Sequence, residues 1–213
     1  MTQPASTTLP AVCHQRVAGL LSADTRQILA IVAQPGAGKS TLAQALLAHY
    51  GDAVQVVPMD GFHLANSELE RLGRRSRKGA PDTFDAAGFV NLLQRIKTQR
   101  EGDDVVYAPE YRRDIEEAIA GAIGVRASTQ LIITEGNYLL LDDAPWHQVR
   151  AVVDDTWYLD VPDALRQARL LARHMQFGRT QRQALDWIVS TDEPNAMRIA
   201  KTRRHPGWCV PWH

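Results

Sequence analysis

Gln34-Pro35-Gly36-Ala37-Gly38-Lys39-Ser40-Thr41 decides the fold of this chain because of what flanks it. Ahead of it runs Ile28-Leu29-Ala30-Ile31-Val32, short, apolar and β-branched at three positions. Behind it runs Leu42-Ala43-Gln44-Ala45-Leu46-Leu47, a helix-forming stretch. Strand, glycine loop and helix start are the context that a phosphate-binding P-loop requires. The glycines let successive backbone N–H groups converge on a phosphate, and the helix N-terminus adds partial positive charge. Gly36, Ala37, Gly38, Lys39, Ser40 and Thr41 are therefore the expected nucleotide contacts. Lys39 would reach the β- and γ-phosphates, and the Ser40 hydroxyl would ligate Mg²⁺. Ala33 stands where the pattern has its first glycine, alanine being the mildest replacement. The stretch implies binding of a nucleoside triphosphate.

At 213 residues the chain suits one α/β domain with a large core and is short for two. Its 45% hydrophobic and 23% charged residues are ordinary for a soluble globular protein. Basic and acidic residues balance at 24 each, so no global field recruits nucleic acid or an anionic membrane. Cys13 and Cys209 lie near opposite ends without metal-ligand spacing, as expected of two reduced thiols in a cytosolic protein. No apolar run approaches the roughly 18 to 20 residues that span a bilayer. The opening Met1 to Thr8 lacks the basic and apolar regions of a secretory signal. The expected organisation is a flexible start over 1–10, a single domain over 11–213 and a cytoplasmic location.

Apolar spacing places further elements around the P-loop. A helix is expected around Val12, Val17, Leu20 and Leu21, and a strand over Ala53 to Val57 ending at Pro58-Met59-Asp60. Asn66 to Asp85 is polar and holds five basic residues with little core-forming pattern. Phe89, Leu92, Leu93 and Ile96 predict a helix over Ala86 to Gln99, and Val105-Val106-Tyr107 a short strand before Pro109. Further strands are expected over Leu131 to Thr134, Thr156 to Val161 and Trp208 to Val210. Helices are expected from Pro162, near Arg182 to Ser190 and over Pro194 to Arg203. Alternating strands and helices imply a three-layer α/β/α fold with a mainly parallel sheet. In such sheets ligands collect at the carboxyl ends of the strands.

Two carboxylates sit at those ends. Glu135 directly follows the apolar Leu131 to Ile133, where it would partner Mg²⁺ or orient water rather than cap a loop. Asp60 follows a strand expected to lie next to the P-loop strand. There it would take the proton of an acceptor hydroxyl during phosphoryl transfer, or else cap the turn at Gly61.

The segments Met59-Asp60-Gly61-Phe62-His63-Leu64, Arg77-Lys78-Gly79-Ala80-Pro81-Asp82-Thr83-Phe84-Asp85, Pro109-Glu110-Tyr111 and Glu135-Gly136-Asn137-Tyr138-Leu139-Leu140 occur in that order. Over about Val12 to Trp208 the chain resembles the P-loop kinases that include uridine kinase, phosphoribulokinase and bacterial pantothenate kinase. It is most similar to the small bacterial branch labelled fructose-transport kinase or nucleoside-kinase-like protein. The resemblance implies ATP and Mg²⁺ as cofactors, Asp60 as catalytic base, and Glu135 assisting both Mg²⁺ and the acceptor. It implies an acceptor-binding insertion over about 60–115, with His63, Arg77, Lys78 and Asp82 lining the pocket and Tyr111 and Arg113 closing it. Arg77 and Lys78 also suit a solvated pair, and His63 a simple packing role. Arg112 departs from the family, where an aspartate commonly precedes the arginine matched by Arg113.

Arg166, Arg169 and Arg173 recur at i, i+3 and i+7, making one helix face basic, while Leu165, Ala168, Ala172 and Met175 predict a packed opposite face. By the resemblance, a lid over about 169–182 closes on ATP, with Arg169 and Arg173 on the phosphates and Arg173 catalytic. The alternative is a solvated arginine face. Asn195 and Arg203-Arg204-His205-Pro206 sit where such folds approach adenine. The expected partners are ATP and a small hydroxylated substrate, a sugar before a nucleoside. Pantothenate ranks lower because that enzyme type is longer. Five tryptophans, Trp146, Trp157, Trp187, Trp208 and Trp212, are available for core or for a homodimer interface. The rival is a P-loop ATPase or nucleotide switch, although a guanine-specifying Asn-Lys-x-Asp is absent.

Overall fold

The run from Ile28 to Val32 becomes β1 (Gln27–Val32) of the computed structural model, which describes residues 9–204 and 207–212. Its side chains bury on both faces: Ile28, Ala30 and Val32 join one core cluster, Leu29 and Ile31 another. A strand buried on both sides belongs inside a covered parallel sheet. With β2 (Val54–Pro58), β5 (Leu131–Gly136), β6 (Asp155–Asp160) and β7 (Trp208–Pro211) it forms a sheet in the order β2-β5-β1-β6-β7. All neighbours in it are parallel.

Helices α1 (Ala11–Leu21) and α2 (Lys39–Tyr50) cover one face through Cys13, Val17, Leu42 and Leu46. The opposite face packs on α4 (Ala86–Thr98) through Phe89, Leu92, Leu93 and Ile96. Each such side chain, fully buried, contributes about 1.5–3 kcal/mol. Asp85 caps α4, accepting from the Gly88 N–H at 2.8 Å. The result is a three-layer α/β/α P-loop fold. No helix among the described residues is long and apolar enough to cross a membrane.

The structure corrects the sequence reading of several elements. Asp60 does not follow a strand beside β1, because β5, buried at all six residues, lies between β1 and β2. Glu135 thus pairs in register with both Ile31 and Pro58, which brings three strand ends to one level. The strand expected over Val105 to Tyr107 is β3 (Val106–Arg112), which continues through Pro109. The register slips between Ala108 and Glu110, and such an irregularity accommodates a residue with no N–H to give. β3 pairs antiparallel with β4 (Glu117–Val125), whose alanines and glycines gave no strand signal.

The polar 66–85 segment contains α3 (Asn66–Arg71), which buries Leu69, and ends on the buried Phe84. Near the C-terminus, α5 (Asp163–Gln176) is followed by α6 (Gln181–Trp187) and α7 (Glu193–Ala200), which a π-helical turn over Ile188–Asp192 joins. The expected break between the last two helices is therefore continuous helix. β7 extends the sheet beside β6 and buries Val210, with Trp212 buried just beyond it. Met1 to Thr8 and His205-Pro206 lie outside the described residues.

Candidate active site

The P-loop backbone needs its two glycines. Gly36 and Gly38 have φ of +81° and +90°, the left-handed region that favours glycine. A Cβ on Gly36 would also strike the Arg166 carbonyl oxygen, and one on Gly38 would sit 2.9 Å from Trp212 Nε1. α2 starts at Lys39 with no side-chain cap, so its first N–H groups are available to an anion.

Lys39, 9% exposed, donates to Asn137 Oδ1 at 2.6 Å and to the Ala33 carbonyl at 3.2 Å. Burial holds its ammonium below the usual lysine range, against the pull of Glu135 and Asp60. Ser40 Oγ donates to Glu135 Oε1 at 2.7 Å. Thr41 is exposed at the cavity wall.

The two carboxyls are not equivalent. Burial raises Glu135, 6% exposed, above the ordinary range, and the neighbouring Asp60 charge raises it further. Burial opposes ionisation of Asp60 too, but His63, Arg113, Lys39 and Arg173 together hold it below the ordinary range. Asp60 Oδ2 accepts from Arg113 Nη2 at 3.2 Å. The two environments push these carboxyls in opposite directions, Asp60 toward its ionised form and Glu135 away from it.

His63 Nδ1 donates to the Asp60 carbonyl at 2.7 Å, and its ring lies between Phe84 and Tyr111 at centroid distances of 4.0 and 4.4 Å. Burial lowers the His63 pKa and pushes Tyr111 up to about 12. Lys78 is buried, donating to Asn66 Oδ1 at 2.6 Å and to the Glu116 carbonyl, 5.3 Å from the Tyr111 ring centre. His63, Lys78, Tyr111 and Arg113 line one cavity of 630 Å³ with the P-loop, Asp60 and Glu135. Arg77 and Asp82 do not. They pair with each other on the exposed side of the 75–83 turns, while Lys78 turns inward. Arg112 likewise points outward to Asp114 at 3.0 Å, because successive residues of a strand face opposite ways.

The α5 reading reverses. Ala168, Ala172 and Met175 are exposed, only Leu165 of the expected packed face lies against the core, and the arginine side faces inward. Arg169 and Arg173 line the cavity; Arg166, only 2% exposed, is held by Asp163 at 2.6 Å and Glu193 at 2.7 Å and does not. Arg169 Nη1 is buried without a protein partner among the described residues, 3.8 Å from where a Gly38 Cβ would stand. That orphan beside the P-loop fits a nucleotide phosphate. Burial lowers Arg173.

Sequence reasoning named none of Asn137, Arg75, Glu116, His174, Arg179, Trp187 or Asp192 as site residues, and all of them line the cavity. Only Asn137, two residues past Glu135 at a strand end, carried a usable signal. Asn195 also lines it, whereas Arg203 pairs with Asp160. A divalent cation fits the donor chemistry, since Ser40 and Glu135 present adjacent oxygens at the P-loop. Among the described residues no His, Cys, Asp or Glu group of three or more is assembled.

Comparison with known proteins agrees with this geometry. The model of the "Phosphoribulokinase / Uridine kinase family" matches residues 28–201. The chain is 36% identical over 190 residues to YggC of Escherichia coli, covering 87% of this chain and 77% of that one. It is 33% identical to the "putative uridine kinase" of Schizosaccharomyces pombe, over 91% and 86% of the two chains. A solved "putative fructose transport system kinase" from Silicibacter sp. TM1040 superposes with a TM-score of 0.84 at 38% identity, covering 94% and 98%. By fold and sequence, the chain belongs to the phosphoribulokinase/uridine kinase family of P-loop kinases.

Proposed function

We propose that this chain is an ATP- and Mg²⁺-dependent kinase that transfers the γ-phosphoryl group to a hydroxyl of a small, sugar-like metabolite. The carrying observation is Asp60, paired with Arg113 at 3.2 Å, in the same cavity as the P-loop and Glu135. In this reading the acceptor oxygen bonds to the γ-phosphorus as the bond to the β–γ bridging oxygen breaks. The hydroxyl proton passes to Asp60, and ADP leaves. Lys39, Arg169 and Arg173 stabilise charge on the phosphates. Ser40 and Glu135 would hold Mg²⁺, which when bound neutralises charge on the β- and γ-phosphates.

The 60–115 region supplies the acceptor wall through His63, Lys78, Tyr111 and Arg113, and the 169–182 segment serves as the lid within a single domain. Closure excludes water and so favours transfer over hydrolysis. The test is ADP release by the purified protein with Mg²⁺-ATP against a panel of sugars, sugar phosphates, hydroxy acids and nucleosides, with Asp60→Asn in parallel. Release that depends on one acceptor class and collapses in the variant supports the kinase. Acceptor-independent release that survives Asp60→Asn points instead to an ATPase.

A further inference from the structure

Among the described residues, seven cationic side chains and four carboxylic ones line the cavity. The nucleotide phosphates engage Lys39, Arg169 and Arg173 in the reading above. Arg113 faces Asp60, Arg75 faces Glu116, and Glu135 lies against Ser40. Lys78 and Arg179 are left with no carboxylate in ion-pair distance; Lys78 is satisfied by neutral oxygens, with Glu116 and Glu117 nearby.

Arg179 is different, because its direction is built. Its guanidinium stacks 4.1 Å from the Trp187 ring centre, and Nη1 makes a 2.8 Å contact with His174 Nδ1. A guanidinium can only donate, so Nδ1 accepts and the imidazole proton lies on Nε2, which donates to Asp192 Oδ2 at 2.7 Å. Asp192 ends the π-helical turn, a rare form that recurs at functional sites. Neighbours in sequence fix the backbone. Gly178 is left-handed at φ +92°, and Thr180 forms a capping box with Gln183 at the start of α6. Three side chains and two backbone devices thus hold one cation at the cavity wall. Arg179 lies in the connection between α5 and α6, beyond the turns of α5 that carry Arg169 and Arg173.

We propose that Arg179, aligned by Asp192, His174 and Trp187, binds a negatively charged group of the acceptor, a carboxylate or a phosphate. The acceptor is then a hydroxylated anion, a sugar phosphate or hydroxy acid, rather than a neutral sugar or nucleoside. This assignment rests on the kinase reading of the same cavity. A forked guanidinium matches both anions, and stacking on an indole pre-pays its ordering.

The test separates the two claims. With the nucleotide site saturated by a non-hydrolysable ATP analogue and Mg²⁺, inorganic phosphate and malonate are titrated calorimetrically at constant ionic strength. Wild type should bind at least one of them, the tighter of the two identifying the anion. Arg179→Gln should weaken that binding by roughly 10- to 100-fold, with partial recovery in Arg179→Lys. His174→Gln should give a smaller loss, and thermal unfolding checks that each variant folds. Equal binding by wild type and Arg179→Gln overturns the inference whatever the turnover. So does acceptor-dependent turnover confined to neutral sugars or nucleosides, which leaves the kinase standing. A rise in KM for ATP alone in Arg179→Gln also overturns it, assigning the arginine to the nucleotide. Anion binding that Arg179→Gln abolishes, with no acceptor-dependent turnover anywhere, supports the anion site and removes the kinase reading.

Discussion

Ser40 Oγ donates a 2.7 Å hydrogen bond to Glu135 Oε1, tying the first turn of α2 to the end of β5. The bond joins the nucleotide loop that follows β1 to the end of the neighbouring strand. It also fixes a carboxyl that burial and the Asp60 charge push above the ordinary range.

Glu135→Gln should therefore stabilise the nucleotide-free protein at neutral pH while impairing it as an enzyme. A carboxyl whose folded pKa is raised contributes stability below its unfolded pKa and loses it as pH rises through the folded value. Glutamine keeps the shape and cannot ionise. Thermal unfolding should give the variant a gain on the order of 1 kcal/mol, roughly 2–4 °C for a chain of this size, at pH 7–8. The gain should vanish near pH ~4. Turnover should fall at least about 100-fold and respond more weakly to added Mg²⁺.

Asp60→Asn should lower kcat by roughly 10²–10⁴ with little change in KM for ATP. The subtler variant is Arg113→Gln, which removes the 3.2 Å pair that helps hold Asp60 below the ordinary carboxylate range. Losing that cation raises the Asp60 pKa, so the acid limb of kcat/KM should move to higher pH. An unmoved limb would mean that Asp60 is not the titrating base.

Gly38→Ala places a Cβ 2.9 Å from Trp212 Nε1 at a backbone φ of +90°. The strain, on the order of 1–2 kcal/mol, falls on the loop that cradles phosphate. Equilibrium titration with an ATP analogue should show at least about tenfold weaker binding.

Arg166→Gln tests the opposite of a ligand contact. The guanidinium is 2% exposed between Asp163 and Glu193, and removing it leaves those carboxylates unpaired beneath α7. Asp163 is largely in water, so the loss should be about 2 kcal/mol, toward the low side for a broken buried pair. Chemical denaturation should detect it, with KM for ATP changing less than in an Arg169→Gln variant.

Much of the site was legible because its residues are tied to strand ends. Lys39, Ser40, Asp60 and Glu135 each follow an apolar run closely enough for the chain itself to carry them to the carboxyl edge of the sheet. Arg77 and Asp82 were misjudged because the turns at 75–83 have no period from which to read direction. β4 was invisible because Ala118, Ala120, Gly121 and Ala122 lack the bulk that marks a strand. The burial of Arg166 was not legible, because Glu193, 27 positions away, supplies the partner that permits it.

The sequence by itself determined the local devices: the strand-loop-helix that binds phosphate, the alternating elements that make a covered parallel sheet, and the carboxylates at its edge. These depend on residues within a few positions of one another, and their physics is local. Tertiary structure alone decided the strand order that sets Glu135 between the P-loop and Asp60. It decided which arginine packs and which faces the cavity, and the relay from Asp192 through His174 to Arg179. Those depend on groups far apart in the chain, and burial fixes their ionisation and direction only after the core has closed around them.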